Sequence, residues 1–477
     1  MAKILLVNPP LLNERGRYID GYQGVRPRLP ALGLAYIAAM LLKHGHEVKI
    51  IEGMAKFVSL DEIVRLSESF DITGITSNSF LALLSHRVAA AIKENNAKTT
   101  VVMGGPHASV VPEDVLEDKN VDFVVIGEGE YTFLELAEAL AAGANIENIK
   151  GIAYRKDNKI IFSGERNNNG DLDNIPLPVR HLLPMHLYSA SVVRSRRNPA
   201  LHMVSSRGCP YNCSFCCNRV MHRCRLRMHS PERVVEEMKI LIKDFGAKEI
   251  HFWDDCFVFN EERVYRICDI IHKERLNIPW DCEATIDSIN PGLLKEMHRA
   301  GCFGVSYGIE TGNDQRFREI NKGYLNRDRI KQVVSWTREA KLRVRGYFMF
   351  GFIDETLQEM EETIEFAKEL DLDFATFSLL VPLPGTDDYE KARHNGEFDP
   401  YYWKHRLLSE ISFPLDPVYV PKGITKKQLL GIHRKACRDF YFRPKIIIKR
   451  MFDLRSPDNL FGSLRAAYTI LRRYRDK

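Results

Sequence analysis

Leu201-His-Met-Val-Ser-Ser-Arg-Gly-Cys-Pro-Tyr-Asn-Cys-Ser-Phe-Cys-Cys217 is an apolar run that opens into a loop with cysteines at 209, 213 and 216. The run 201–205 reads as a buried strand, which puts the loop at that strand's C-terminal end. Three thiolates converging on one point suit a soft metal centre such as an iron–sulfur cluster. On spacing alone, a structural zinc with Cys217 or His222 as fourth ligand stays open. Cys217 follows Cys216 directly and is read as pointing elsewhere. A disulfide is disfavoured: ten cysteines are few for 477 residues, and the N-terminus enters a strand at once instead of a secretory leader.

Outward from the loop, a strand–helix alternation repeats. Later strands are expected at 249–253, 280–285, 304–309, 346–350 and 375–380. Ser230-Pro231, Asn260-Glu-Glu and Asn290-Pro291 each offer an N-cap, and Thr356-Leu-Gln-Glu359 is a capping box. Six such units predict a partial, open (β/α)6 relative of the eight-stranded barrel, with function gathered at the C-terminal strand ends. Those ends carry Asp254-Asp255, Glu283, Tyr307, Glu310 and Arg345, and Pro382-Leu-Pro-Gly385 closes the sixth.

The Cys-x3-Cys-x2-Cys spacing, with Phe215 just before the third cysteine, resembles the signature of the radical S-adenosylmethionine (radical SAM) enzymes. The resemblance implies a [4Fe–4S] cluster held by Cys209, Cys213 and Cys216, with one iron left open for S-adenosylmethionine (SAM). It implies SAM contacts from Phe215 to the adenine, Asp255 to the ammonium and Arg345 to the carboxylate. Glu310, in Gly308-Ile-Glu-Thr-Gly312, is a further implied SAM contact. That segment, together with Gly351-Phe-Ile-Asp-Glu-Thr356 and Val381-Pro-Leu-Pro-Gly-Thr386, is similar to recurrent segments of cobalamin-dependent members.

Residues 1–150 alternate in the same way, with strands expected at 3–7, 47–52, 72–76, 100–103 and 122–126 and helices at 32–43 and 85–95. This predicts a doubly wound, Rossmann-like parallel sheet whose ligand lies outside the carboxyl ends of the strands. The ends are Asn8-Pro-Pro10, Thr76-Ser-Asn-Ser79, Gly104-Gly-Pro-His107 and Gly127-Glu-Gly129. Their order resembles a cobalamin-binding domain, with Ser79-Phe-Leu81 after the third strand and Gly104-Gly105 after the fourth. The resemblance implies cobalamin contacts from Asn8, Ser79, Leu81, Gly104, Gly105, Gly127 and Glu128. The family's Asp-x-His-x-x-Gly loop is missing; Asn8-Pro-Pro-Leu-Leu-Asn-Glu-Arg-Gly16 stands in its place, without the histidine that would ligate cobalt from below. His107 is read as a local hydrogen-bonding residue, and His44 and His46, flanking Gly45, as solvent-facing.

The organisation expected is therefore α/β: a cobalamin-binding domain at 1–150, a linker at 151–200, a radical SAM core at 201–400 and a helical C-terminal segment at 401–477. The linker contains a hairpin at 152–163 and the proline-stiffened Ile175-Pro-Leu-Pro-Val-Arg180. From Arg434 to Lys477 there are 13 Lys and Arg against 4 Asp and Glu, interleaved with apolar clusters. Basic amphipathic helices of this kind suit a membrane surface, and a helical lid with its charges in water is the other reading. A net charge of +5 is too small to argue for nucleic acid, and no apolar run reaches the roughly 18 residues needed to span a bilayer. The resemblance implies a cytoplasmic enzyme, with peripheral membrane contact open, an external low-potential electron donor and a small-molecule or lipid substrate. The expected activity is cobalamin-dependent radical methylation of an unactivated carbon. The alternatives are a non-methylating cyclisation or rearrangement and, from another class, a non-catalytic cobalamin or metal sensor.

Overall fold

Two sheets, the first parallel but for one antiparallel edge and the second all parallel, are joined through a proline-containing connector and line one cavity beside the cysteine loop. The computed structural model describes residues 1–11, 29–167, 170–188, 194–405 and 417–453. The first sheet contains β1 (Lys3–Asn8), β2 (Glu47–Glu52), β3 (Ile72–Thr76), β4 (Thr100–Gly104), β5 (Phe123–Val125), β6 (Ile152–Lys156) and β7 (Lys159–Phe162), in the order 2-1-3-4-5-6-7. Strands β1 to β5 are parallel, and β6 and β7 add an antiparallel edge. The hairpin that the sequence groups with the linker thus completes the first sheet. β1 reads Ile-Leu-Leu-Val through its middle because helices cover both sheet faces, and all four side chains are buried. The order reverses between β1 and β3, the switch point where sheets of this class bind ligands.

The helix Leu32–Lys43 falls at its predicted position, and the helix expected from residue 85 starts at Ala82. His46, expected in solvent, is buried: the Ala2 backbone N–H donates to its Nδ1 at 3.3 Å, and burial holds its pKa below the usual imidazole range. His44 is exposed, as expected.

The second sheet begins with β8 (Ala200–Met203). A short antiparallel pair follows, β9 (Ser206–Arg207) with β10 (Arg227–Met228), and brackets the cysteine loop at both ends. The sheet then continues through β11 (Glu249–Phe252), β12 (Trp280–Ala284), β13 (Cys302–Glu310), β14 (Arg343–Phe350) and β15 (Phe374–Leu379). These lie in the order 8-11-12-13-14-15, all parallel: the open six-stranded partial barrel the alternation predicts. Ser230, Asn260 and Asn290 cap their helices through the side-chain oxygen, and Thr356 with Glu359 forms both halves of a capping box.

The C-terminal segment starts as a barrel helix. Lys426–Tyr441 buries Leu429, Ile432, Ala436 and Phe440 in the barrel core, and His433 Nε2 donates to the Phe377 carbonyl at 3.0 Å. Most of the basic stretch beyond Asp453 lies outside the described residues, as do residues 12–16 of the loop after β1.

Candidate functional site

The cysteine loop is positioned from beneath by an acid. Asp254, fully buried, accepts the Ser205 backbone N–H at 2.7 Å and the Ser205 and Ser206 hydroxyls at 2.6 Å each. Arg263 donates to the Ser205 carbonyl at 2.8 Å. Of the Asp254-Asp255 pair, the first is therefore structural, and the second opens into a cavity of about 1360 Å³. Protein around Asp255 pushes its carboxyl above the usual range.

Cys209, Cys213, Cys216 and Cys217 are all half-buried and free of disulfides. Burial raises the thiols of Cys209 and Cys216 to about 12; Cys213 is also raised, with Lys322 opposing. Thiols held in this state release protons when a metal binds, which couples metal binding to loop closure. The donor set fits a cluster better than zinc. Of the two candidates for a fourth zinc ligand, His222 turns its Nδ1 to Glu128 at 3.6 Å, and Cys217 stands at the start of the helix Asn218–His222. Among the described residues no three His, Cys, Asp or Glu side chains stand preassembled around one point.

The opposite wall of the same cavity is the C-terminal edge of the first sheet. Asn8, Leu81, Gly104, Gly105, Gly127 and Glu128 line it, facing Phe215, Cys216, Cys217 and Asp255. At Gly104 an added Cβ would touch only Val125, at 3.7 Å, so the glycine leaves open space on the cavity wall, where a side chain would project. The sole histidine among the described lining residues is His222, so the first domain offers cobalt no imidazole there.

Not every expected contact is free. The Asn8 amide is spent on Glu52, which also accepts the Ala31 N–H and the Tyr188 hydroxyl, each at 3.1 Å. Ser79 does not line this cavity; its hydroxyl meets Nδ1 of buried His107 at 3.2 Å, which makes His107 a local hydrogen-bonding residue. Glu310 is paired with Lys322 at 2.8 Å. Arg345 stacks over Phe374 at 5.2 Å, one inward position along β14 below Tyr347, and is absent from the cavity wall. Glu283 accepts the Tyr347 hydroxyl at 2.9 Å. Tyr307 points away from the site and bonds Thr337 at 2.8 Å.

Glu128 proves to be a bridge between the two sheets. Its carboxylate accepts from Arg207 at 2.9 Å and from Arg227, the residues at the two ends of the cysteine loop, and Arg207 also reaches Glu130 at 2.7 Å. Burial alone would raise the Glu128 carboxyl; hydrogen bonding from His222 and the charges of Arg207 and Arg227 outweigh it and hold the pKa at about 2. A depressed carboxylate contributes stability above its unfolded value of about 4.5, lost as pH falls toward 2. Glu128→Gln is therefore expected to cost about 3 kcal/mol at neutral pH. The melting-temperature gap to wild type should stay constant above about pH 5 and shrink on acidification. A gap that widened in acid would refute the bridge. Lys322, Arg207 and Arg227 carry no local sequence signal, since each acts through a partner distant in the chain.

Residues 203–367 match the Radical SAM superfamily and residues 24–137 match the B12 binding domain. An uncharacterized methyltransferase of Pyrococcus horikoshii is 38% identical over 95% of this chain and 95% of its own length. The cytidylyl-2-hydroxyethylphosphonate methyltransferase of Streptomyces wedmorensis is 27% identical, covering 92% and 90%. The anaerobic magnesium-protoporphyrin IX monomethyl ester cyclase of Cereibacter sphaeroides is 25% identical, covering 92% and 70%. In fold, the chain is similar to the radical SAM methyltransferase TsrM from Kitasatospora setae, with a TM-score of 0.68 at 18% identity over 83% of this chain and 75% of that one. With the three-cysteine loop and the first sheet's strand ends on one cavity, these matches lead to one assignment: the chain belongs to the cobalamin-dependent radical SAM enzymes, whose cofactors are a [4Fe–4S] cluster, SAM and cobalamin.

Proposed function

We propose that this protein transfers a methyl group to an unactivated carbon of a small-molecule substrate. The observation that supports the reading is the single cavity shared by Leu81, Gly104, Gly105 and Gly127 of the first domain and Phe215, Cys216 and Asp255 of the second. When bound, the cluster would supply the electron that splits one SAM, and cobalamin would pass on the methyl group of a second SAM. Cys209, Cys213 and Cys216 ligate the cluster. Asp255, open to the cavity, takes the ammonium of SAM, and Phe215 offers its face to the adenine. Leu81, Gly104, Gly105 and Gly127 form the floor for the corrin. Apolar lining from Leu6, Met349, Leu379 and Leu380 keeps water from the reacting centre. An external low-potential donor must supply two electrons per methyl transferred, one to split SAM and one to let the cobalamin take up its next methyl group.

The test is incubation of reduced, cobalamin-loaded protein with candidate substrates and methyl-labelled SAM. Label in the product is expected. Formation of 5′-deoxyadenosine with an altered, unlabelled product would instead favour the cyclisation reading, in line with the similarity to the cyclase. No SAM cleavage at all under strong reductant, despite a full cluster, would favour a sensor.

Peripheral membrane contact belongs to the same proposal. Among the described residues no helix is long and apolar enough to cross a membrane. Phe442, Ile447 and Ile448 are exposed beside the basic C-terminal stretch, where such contact would fall. Co-sedimentation with anionic vesicles, reversed by salt, is the expected sign.

A further inference from the structure

The turn Ile320-Asn-Lys322 is fastened to the cysteine loop at successive points. The Ser214 backbone N–H donates to the Ile320 carbonyl at 3.3 Å, and the Asn321 side-chain amide donates to the Asn212 carbonyl at 3.1 Å. The Lys322 ammonium stands 6.0 Å from the ring centroid of Phe215, the residue between ligands Cys213 and Cys216. Lys322 is buried, at 7% exposure, in a position where an unneeded charge would be costly. It donates to the Glu310 carboxylate at 2.8 Å and to the Gly308 carbonyl at 3.0 Å, which uses two of its three protons.

Glu310 is held there at some expense. Its φ of 68° is in the left-handed region, where a non-glycine residue is strained, and the register between β13 and β14 slips between Gly308 and Glu310. A Cβ at Gly308 would come within 2.6 Å of the Glu310 carboxylate and 3.1 Å of the Lys322 ammonium, so a side chain there would push the pair aside. The turn thus sets two opposite charges beside the cysteine loop, the Lys322 ammonium next to the Phe215 ring and the Glu310 carboxylate bonded to that ammonium.

We propose that Lys322 and Glu310 are positioning charges that set the reduction potential of the cluster, Lys322 favouring the added electron and Glu310 tempering that effect. The step is a one-electron reduction of the oxidised cluster by a low-potential donor, with no proton or bond change on either residue. A cation beside a metal centre stabilises its more negative state, and low surrounding polarity strengthens the effect.

Reconstituted protein, without substrate or cobalamin, is titrated anaerobically with dithionite and mediators while the reduced cluster is followed by electron paramagnetic resonance. At a fixed potential, Lys322→Met is expected to lower the reduced-to-oxidised ratio at least tenfold, 59 mV for one electron. Glu310→Gln is expected to raise it by a similar factor, and Lys322→Arg to stay near wild type. If Lys322→Met fails to take up iron, Glu310→Gln decides alone, because its amide keeps the shape of the pocket. No shift, or shifts of the same sign in both variants, would overturn the proposal. The inference rests on the cluster assignment and not on methyl transfer: a cluster of unchanged potential in active enzyme defeats it, while correct shifts in an enzyme that transfers no label defeat only the methylation reading.

Discussion

Cys213→Ala is expected to yield a folded chain with no stable [4Fe–4S] centre, its iron falling from about four per chain to near zero after reconstitution. Cys213 is the middle cysteine of the proposed triad, between Cys209 and Cys216 on one loop. Without it, only two of the three proposed ligands, Cys209 and Cys216, remain in place, too few for a cluster that keeps one iron free for SAM. The side chain is only half-buried, so truncation removes little core packing and the melting temperature of the apoprotein should stay within a few degrees of wild type. SAM cleavage to 5′-deoxyadenosine should be abolished. Cys217→Ala is the matched control. Cys217 begins the helix Asn218–His222, and its loss should leave the cluster's near-ultraviolet and visible absorption intact. Full iron in Cys213→Ala, or lost iron in Cys217→Ala, would reject the ligand assignment.

Gly208→Ala is the second large effect. Gly208 directly precedes Cys209 and holds φ at +88°, and a Cβ there would lie 2.0 Å from the Arg225 carbonyl oxygen. The obstructing atom is backbone, on the far arm of the bracket formed by β9 and β10, so no rotamer change relieves it. The loop must move or the bracket must open, at a cost of about 1–3 kcal/mol beyond the φ strain. A loss of that size lowers the population of the closed loop by about tenfold, and cluster content after reconstitution should fall accordingly. Gly246→Ala separates the two contributions. Its φ is +66°, also left-handed, but nothing lies within 4 Å of the added Cβ. It should lower the melting temperature slightly and leave iron content unchanged. Equal iron loss in both variants would show that the contact with Arg225 is not what constrains the loop.

Much of the architecture was legible without coordinates because it is written locally. Apolar runs in β1, β8 and β11 lie within a residue or two of their expected positions, and the caps at Ser230, Asn260, Asn290 and Thr356 form as their residue types require. Both depend on neighbours a few positions away, where periodicity and capping operate. The cysteine triad was legible for the same reason, its spacing being a property of one loop.

The pairings that were not legible share the opposite cause. Nothing near Glu128 announces that it will pair with Arg207 and Arg227, 79 and 99 residues away. Asn8 is absorbed by Glu52, His46 by the backbone of Ala2, and Tyr307 by Thr337, because packing chooses the partner after the backbone pattern is set. By itself, then, the sequence determined the two α/β sheets, the order of their strand ends and the three thiols, all of which follow from short-range periodicity and spacing. Only the tertiary structure decided that both sheets open on one cavity, that Asp255 and not Asp254 faces it, and that Lys322 lies beside the cluster loop. Those relations are between side chains far apart in the chain, and they exist only once burial has brought them together.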